Sequence, residues 1–163
     1  MNKLRLLLTD VCNRNCRGCC NKLYDLKTLP VCTDFTCYDQ ILLTGGEPML
    51  QPWLVVEAIG KIRRQTQSPI YLYTANTTKP IMLLLILSLI EGITVTLHEP
   101  KDVEPFLALD PHIQKEGKSL RLNVFKRSNF TPHNLTGWAV KSDLSWIRDC
   151  PLPEGEVFMR YEH

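Results

Sequence analysis

The sequence has no excess of one charge, no membrane-length apolar run, no repeat and no low-complexity tract, and each absence excludes something. Nineteen Lys and Arg stand against seventeen Asp and Glu, a formal charge of +2. Bulk charge therefore gives no sign of a nucleic-acid-binding surface, although a local basic patch would escape this count. The longest apolar stretch, Ile81 to Leu87 and on through Ser88 to Ile90, is about half of the ~20 residues that span a bilayer. No secretory signal is expected: the start, Met1 to Asp10, carries only a three-leucine run, and no small-residue cleavage site follows. Hydrophobic residues make up 44% and charged residues 22% of the 163, which excludes disorder and collagen-like composition. The length fits a single domain, since domains run to roughly 100–200 residues.

Cysteine is the residue present in excess, and its number is odd: seven. A closed disulfide framework would leave one thiol over, and the chain is long enough to bury a core without covalent staples. A reducing cytoplasm is the expected location, where cysteines more often serve metal or redox chemistry than cross-linking. Cys12, Cys16 and Cys19 form a C-x3-C-x2-C run whose spacers Asn13, Arg14, Asn15 and Arg17 are all polar. Packing does not explain such a run. Three thiolates on one loop repel one another unless a cation neutralises them, and soft sulfur donors suit zinc or an iron–sulfur cluster. Three ligands leave a coordination position open for chemistry. The bland alternative is a zinc knuckle completed by Cys20, Cys32 or Cys37.

Around that run the chain alternates short apolar segments with helical patterns. Strands are expected at Leu4–Leu8, Ile41–Leu43, Ile70–Tyr73, Ile93–Leu97 and Leu120–Phe125, with a weaker sixth at Trp138–Val140. Helices are expected at Pro52–Arg64, where Trp53, Val56, Ile59 and Ile62 recur at helical spacing, and at Asp102–Leu109. A further helix at Pro80–Ile90 is apolar nearly all round and so is expected to be well buried. Strands alternating with helices imply βαβ units and a mostly parallel α/β sheet. Five to six strands are too few for a closed eight-unit barrel of ~250 residues. An open, half-wound barrel and a flat doubly wound sheet remain, and both bind ligands at the C-terminal ends of the strands. The unusual polar residues gather there: Thr9-Asp10, Gly45-Gly46-Glu47, Thr74 with Asn76, and His98-Glu99.

Cys12-Asn-Arg-Asn-Cys16-Arg-Gly-Cys19, after the first strand, resembles the cluster loop of the radical S-adenosylmethionine (radical SAM) enzymes. Thr44-Gly45-Gly46-Glu47-Pro48, at the second strand end, resembles that family's GGEP motif. Two motifs in the right order, each at a strand end, are far more specific than either alone. The resemblance covers roughly Lys3 to Asn76 strongly and the second half only through its strand–helix rhythm. It implies an open, incomplete parallel (β/α) barrel of five to six strands. The whole of 1–163 would form the core domain, with 138–163 covering one end.

The resemblance also implies the chemistry. Cys12, Cys16 and Cys19 would hold three irons of a [4Fe–4S] cluster, and S-adenosylmethionine would chelate the fourth. An electron from a flavodoxin- or ferredoxin-type partner would then cleave S-adenosylmethionine into methionine and a 5′-deoxyadenosyl radical that abstracts hydrogen from a substrate, an oxidoreductase chemistry carried by the cofactors. Gly45, Gly46, Glu47 and Pro48 would hold the methionine end. Thr74, Asn76, Thr96, Arg121 and Asn123 are candidates for the cofactor's carboxylate and ribose. No protein acid, base or nucleophile is assigned. A small molecule or nucleotide is the preferred substrate, with neither membrane nor nucleic-acid partner expected.

Two departures matter. Many members carry an aromatic residue before the third cysteine, near the adenine, where this chain has Gly18. Gly18-Cys19-Cys20-Asn21-Lys22 resembles instead the small activases that install a glycyl radical on anaerobic ribonucleotide reductase, so a glycyl-radical protein is the alternative substrate. A non-catalytic zinc or iron–sulfur module is the third reading, against which Gly45-Gly46-Glu47 argues. Cys20, Cys32, Cys37 and Cys150 form no second cluster pattern and are expected to be buried free thiols. His98 reads either as a structural histidine or as a cavity-lining residue at the fourth strand end, and the segment carrying Trp146 either as terminal packing or as a cover that lines a substrate entrance.

Overall fold

The computed structural model describes residues 1–147 and 151–162; Cys150 and any role for it lie outside them. The fold is α/β, built on an open, all-parallel sheet of seven strands: β1 (Lys3–Leu7), β2 (Gln40–Thr44), β3 (Ile70–Thr74), β4 (Gly92–Leu97), β5 (Ser119–Phe125), β6 (Trp138–Leu144) and β7 (Glu156–Arg160). The sheet order is β6-β5-β4-β3-β2-β1-β7. From β1 to β6 every step goes to the next strand in the same direction. Crossovers between parallel strands are right-handed, so a sheet wound in one direction collects its helices on one face. The helices are α1 (Pro52–Arg63), α2 (Pro80–Leu89) and α3 (Val103–Leu109). β6 and β7 are the two edges, so the sheet does not close.

The strand count corrects the expected five to six. β7 is a five-residue strand, Glu-Val-Phe-Met-Arg, that follows Pro151, Pro153 and Gly155. Nothing local marks it, because its pairing with β1, Lys3 opposite Glu156 through Leu7 opposite Arg160, joins segments about 150 residues apart. The segment 138–163 therefore contributes both edge strands rather than only a cover.

Alternation divides the sheet into two unlike faces. On one, Leu4, Leu6, Ile41, Leu43, Ile70, Leu72, Ile93, Val95, Leu122 and Val124 are buried and form one core with Val55, Ile59 and Ile62 of α1, Leu83 and Ile86 of α2, and Phe106 of α3. On the other face of the strands stand Arg5, Thr44, Tyr71, Tyr73, Thr94, Thr96, Arg121 and Asn123. Tyr73, Thr94 and Arg121 lie in one cross-strand row, and Thr96, Asn123 and Lys141 in another. Arg5 pairs with Glu156 at 2.9 Å and stands over the Tyr73 ring at 5.8 Å.

α2 is less buried than its composition predicts. Leu83, Ile86 and Leu87 enter the core, whereas Ile81, Leu85 and Leu89 are exposed, Ile81 to 81%. The reason is geometric: one sheet face covers one side of a helix, however apolar the other side is.

Candidate functional site

The C-terminal ends of β1 to β4 open into a cavity of about 390 Å³. Its construction begins where β1 and β2 stop being strands but continue to hydrogen-bond. The Leu8 N–H donates to the Thr44 carbonyl at 2.9 Å, the Gly46 N–H to Thr9 at 2.7 Å and the Glu47 N–H to Val11 at 2.9 Å. The three-cysteine loop is thereby zipped to the Gly-Gly-Glu loop. The glycines are required by this contact. A Cβ on Gly45 would fall 2.8 Å from the Thr9 carbonyl oxygen, and one on Gly46 would fall 2.3 Å from that of Val11. Backbone oxygens at that range cannot give way as a flexible side chain would.

Three further anchors fix the loop. The Asn21 side-chain amide, beyond Cys19, donates to the Gly45 carbonyl at 2.9 Å. Arg14, between Cys12 and Cys16, donates to both carboxylate oxygens of Asp102 at 2.9 and 2.5 Å, and to the Ala75 carbonyl at 2.9 Å. Asp102 also accepts from the N–H groups of His98 and Glu99. Burial alone would raise the Asp102 carboxyl, but Arg14 and these N–H groups hold it below its ordinary value. The bidentate pair ties the cysteine loop to the ends of β3 and β4.

Glu47 is 2% exposed and bound on both carboxylate oxygens. Oε1 accepts from the Met49 N–H and the Thr74 hydroxyl, and Oε2 from the Ala75 N–H at 2.8 Å. It clamps the end of β2 to the end of β3. Thr74 serves this clamp, and its hydroxyl oxygen also accepts from the Asn76 N–H.

Cys12, Cys16 and Cys19 all line the cavity, with Cys12 exposed and the other two half-buried. Burial pushes the Cys16 thiol up, and the neighbouring Cys19 and Cys12 push it further. Among the described residues no three His, Cys, Asp or Glu side chains are gathered tightly enough to hold a metal as they stand. Soft donors, mutual repulsion and a shared cavity are nevertheless the chemistry that a thiophilic cation relieves. By donor set, the three thiols fit an iron–sulfur group.

Gly45, Gly46, Glu47, Pro48, Thr74 and Thr96 line the same cavity, while Asn76, Arg121 and Asn123 do not. The Asn76 side-chain Oδ1 accepts from the N–H and hydroxyl of Thr78, in the turn before α2. Arg121 is exposed in the interior of β5, and Asn123 is half-buried nearer its C-terminal end, opposite Thr96. No protein-family model matches the chain, and no curated protein matches it.

Arg5, Arg14, Asn21 and Tyr73 also line the cavity without having been singled out in the sequence, whereas His98 and Trp146 lie in segments that the sequence did point to. The parity of β4 places His98 with Thr96, which is a usable signal. Arg14 carries none, since Asp102 lies 88 residues away. Of the four cysteines expected to be buried, Cys32 is buried, its thiol pushed up to about 11 by burial and then by Cys37. Cys37 is exposed and Cys20 half-buried against the cavity, which corrects that expectation for both.

Proposed function

We propose that the chain is a radical SAM enzyme whose site is this cavity. One observation carries the reading: the C-x3-C-x2-C loop and the Gly-Gly-Glu loop, about 25 residues apart in sequence, are zipped backbone to backbone and line one cavity at the strand ends of a parallel sheet. A bare zinc knuckle needs no such partner loop. Cys12, Cys16 and Cys19 would hold a [4Fe–4S] cluster, and the Gly45–Pro48 loop would face the methionine end of S-adenosylmethionine. When bound, the pair supplies reductive cleavage of a carbon–sulfur bond and a radical able to abstract hydrogen.

The chain's own residues do the positioning. Arg14, Asn21 and the two glycines fix the cysteine loop against β2, β3 and β4. Glu47 holds the neighbouring strand ends at constant separation, its carboxylate already committed to three donors, so its part is to shape the cavity floor. Electrons would come from a flavodoxin- or ferredoxin-type donor, and the substrate would be a small molecule or nucleotide. The exposed positions of β5 and β6 on the face opposite the helices favour a second reading within the same chemistry, in which a glycyl-radical protein docks there and is activated.

The test is anaerobic reconstitution with iron and sulfide, followed by reduction in the presence of S-adenosylmethionine. Methionine and 5′-deoxyadenosine are expected, and neither from the Cys16→Ala variant. An intact cluster that never cleaves S-adenosylmethionine would sink the reading.

A further inference from the structure

Among the described residues, α2 is the only α-helix without a charged side chain: Pro80–Leu89 reads Pro-Ile-Met-Leu-Leu-Leu-Ile-Leu-Ser-Leu. Its core face takes Leu83, Ile86 and Leu87, which leaves Ile81, Leu85 and Leu89 turned outwards, exposed to 81%, 42% and 42%. Spaced by four residues, these three form one ridge along the outer surface of the helix layer. Trp53, at the start of α1 and 69% exposed, shares a groove with Met82 and Lys79 beside the N-terminal end of that ridge. Charge returns only around the patch, with Glu57 and Arg64 exposed along and beyond α1 and Glu104 exposed on α3. A helix facing water carries polar residues on its outer side. An apolar centre inside a charged rim is the anatomy of a protein interface.

Two features specify what covers this ridge. The first is its symmetry: Ile81 and Leu89 stand equally far on either side of Leu85. In an antiparallel pair of α2 helices crossing at Leu85, that residue meets its own copy, and Ile81 of each chain meets Leu89 of the other. Lys79 and Glu91 bracket the helix at equal distances from the same point and carry opposite signs. The pair therefore brings each lysine to the level of the second copy's glutamate, whose side chain stays 45% exposed although it holds Arg63. The second feature is area. The four outward side chains offer roughly 400 Å² of apolar surface, more than scattered single residues do and less than the ~800 Å² per partner of a standard interface. Half-buried Met82 and Leu84 and the charged ends extend it, which suits a weak, concentration-dependent dimer.

We propose that the Ile81–Leu85–Leu89 ridge is the two-fold contact of a homodimer, with α2 packed antiparallel on α2 of a second copy of the chain. This goes beyond the reading above and does not rest on the chemistry at the strand ends.

The test is sedimentation velocity of the full chain over a concentration series, under a reducing agent that removes dimers linked through the exposed Cys12 or Cys37. A reversible monomer–dimer equilibrium with a micromolar dissociation constant is expected. Leu85→Arg should weaken it about a hundredfold or more, because two like charges then meet at the axis. Ile81→Lys and Leu89→Glu should each weaken it about tenfold. The double variant should recover most of that loss, since the two introduced charges face each other across the axis. Val140→Lys, on the edge strand β6, should change nothing. Urea unfolding checks that each variant is folded; should Leu85→Arg fail, Ile81→Lys and the double variant carry the test, Ile81 being 81% exposed. A chain that stays monomeric at about 0.5 mM overturns the proposal, and one that does so while co-sedimenting with phosphatidylcholine vesicles assigns the ridge to a lipid surface instead. A dimer that Leu85→Arg leaves intact, or two single losses that add in the double variant, overturns the antiparallel contact.

Discussion

The two faces of the sheet are made from alternate residues of the same strands, and they obey different rules. On the helix-covered face nearly every position is Leu, Ile or Val, and most are under 5% exposed. On the other face the same strands carry Arg5, Tyr73, Thr94, Thr96, Arg121 and Asn123. A sheet that needed helices on both faces would carry near-continuous apolar strands. β4 and β5 alternate instead, while β1 and β2 bury Leu7 and Leu42 on the second face as well. Most of the apolar burial lies on the helix-covered face, and the exposed polar positions lie on the other.

Substitutions can break that division, and the covered face should show the largest effect. Leu43, 0% exposed, should cost about 2–5 kcal/mol when replaced by Ala, since a closed core relaxes only partly around the cavity. Urea unfolding would measure it, and a cost below about 1 kcal/mol would mean that this face is looser than its packing.

At the strand ends the effect should be smaller. Glu47→Gln presents an amide N–H₂ to one of the N–H donors of Met49 or Ala75, leaving a buried donor unmet. A loss of about 1–3 kcal/mol is expected. A neutral outcome would show that the clamp between β2 and β3 does not depend on a carboxylate.

A pH series addresses the rim. The His98 imidazole, ordinarily at 6.5, lies at about 4 in the folded chain. Between those values the unfolded chain takes up a proton that the folded chain refuses, so stability falls as pH drops from about 7 towards 4. Asp102, held low, adds to the loss only below its ordinary value of 3.8. Arg14, Asp102 and Glu99 are the charged groups that face this histidine. The urea midpoint at pH 7 and pH 5 should differ less in His98→Phe than in the parent chain; an unchanged difference would place the titration elsewhere.

The smallest effect belongs to an exposed position on the opposite face. Arg121→Ala should alter stability by no more than about 0.5 kcal/mol, as exposed positions without a specific contact do. A larger cost would mean that Arg121 contributes to the fold.

Much of this architecture was legible locally. The first five strands and all three helices fall within a few residues of their expected limits, because period 2 and period 3.6 are written in short windows. The cysteine and Gly-Gly-Glu motifs were legible as residue types at strand ends. What was not legible is long-range. β7 exists only because β1 offers it an edge, and α2 is half-exposed only because the sheet has one layer above it. The glycines at 45 and 46 were expected at the methionine end of the cofactor; in the folded chain they are also the positions where the cysteine loop presses closest.

Sequence alone determined the parallel α/β order, the odd set of three thiols and the polar strand ends, since each depends on residues within a few positions of one another. Only the tertiary structure decided that Arg14 is held by Asp102, that Glu47 bridges two strands, and that Trp146 fills the space beside Gly18. Those contacts join segments 27 to 128 residues apart, and no local pattern encodes a partner at that distance.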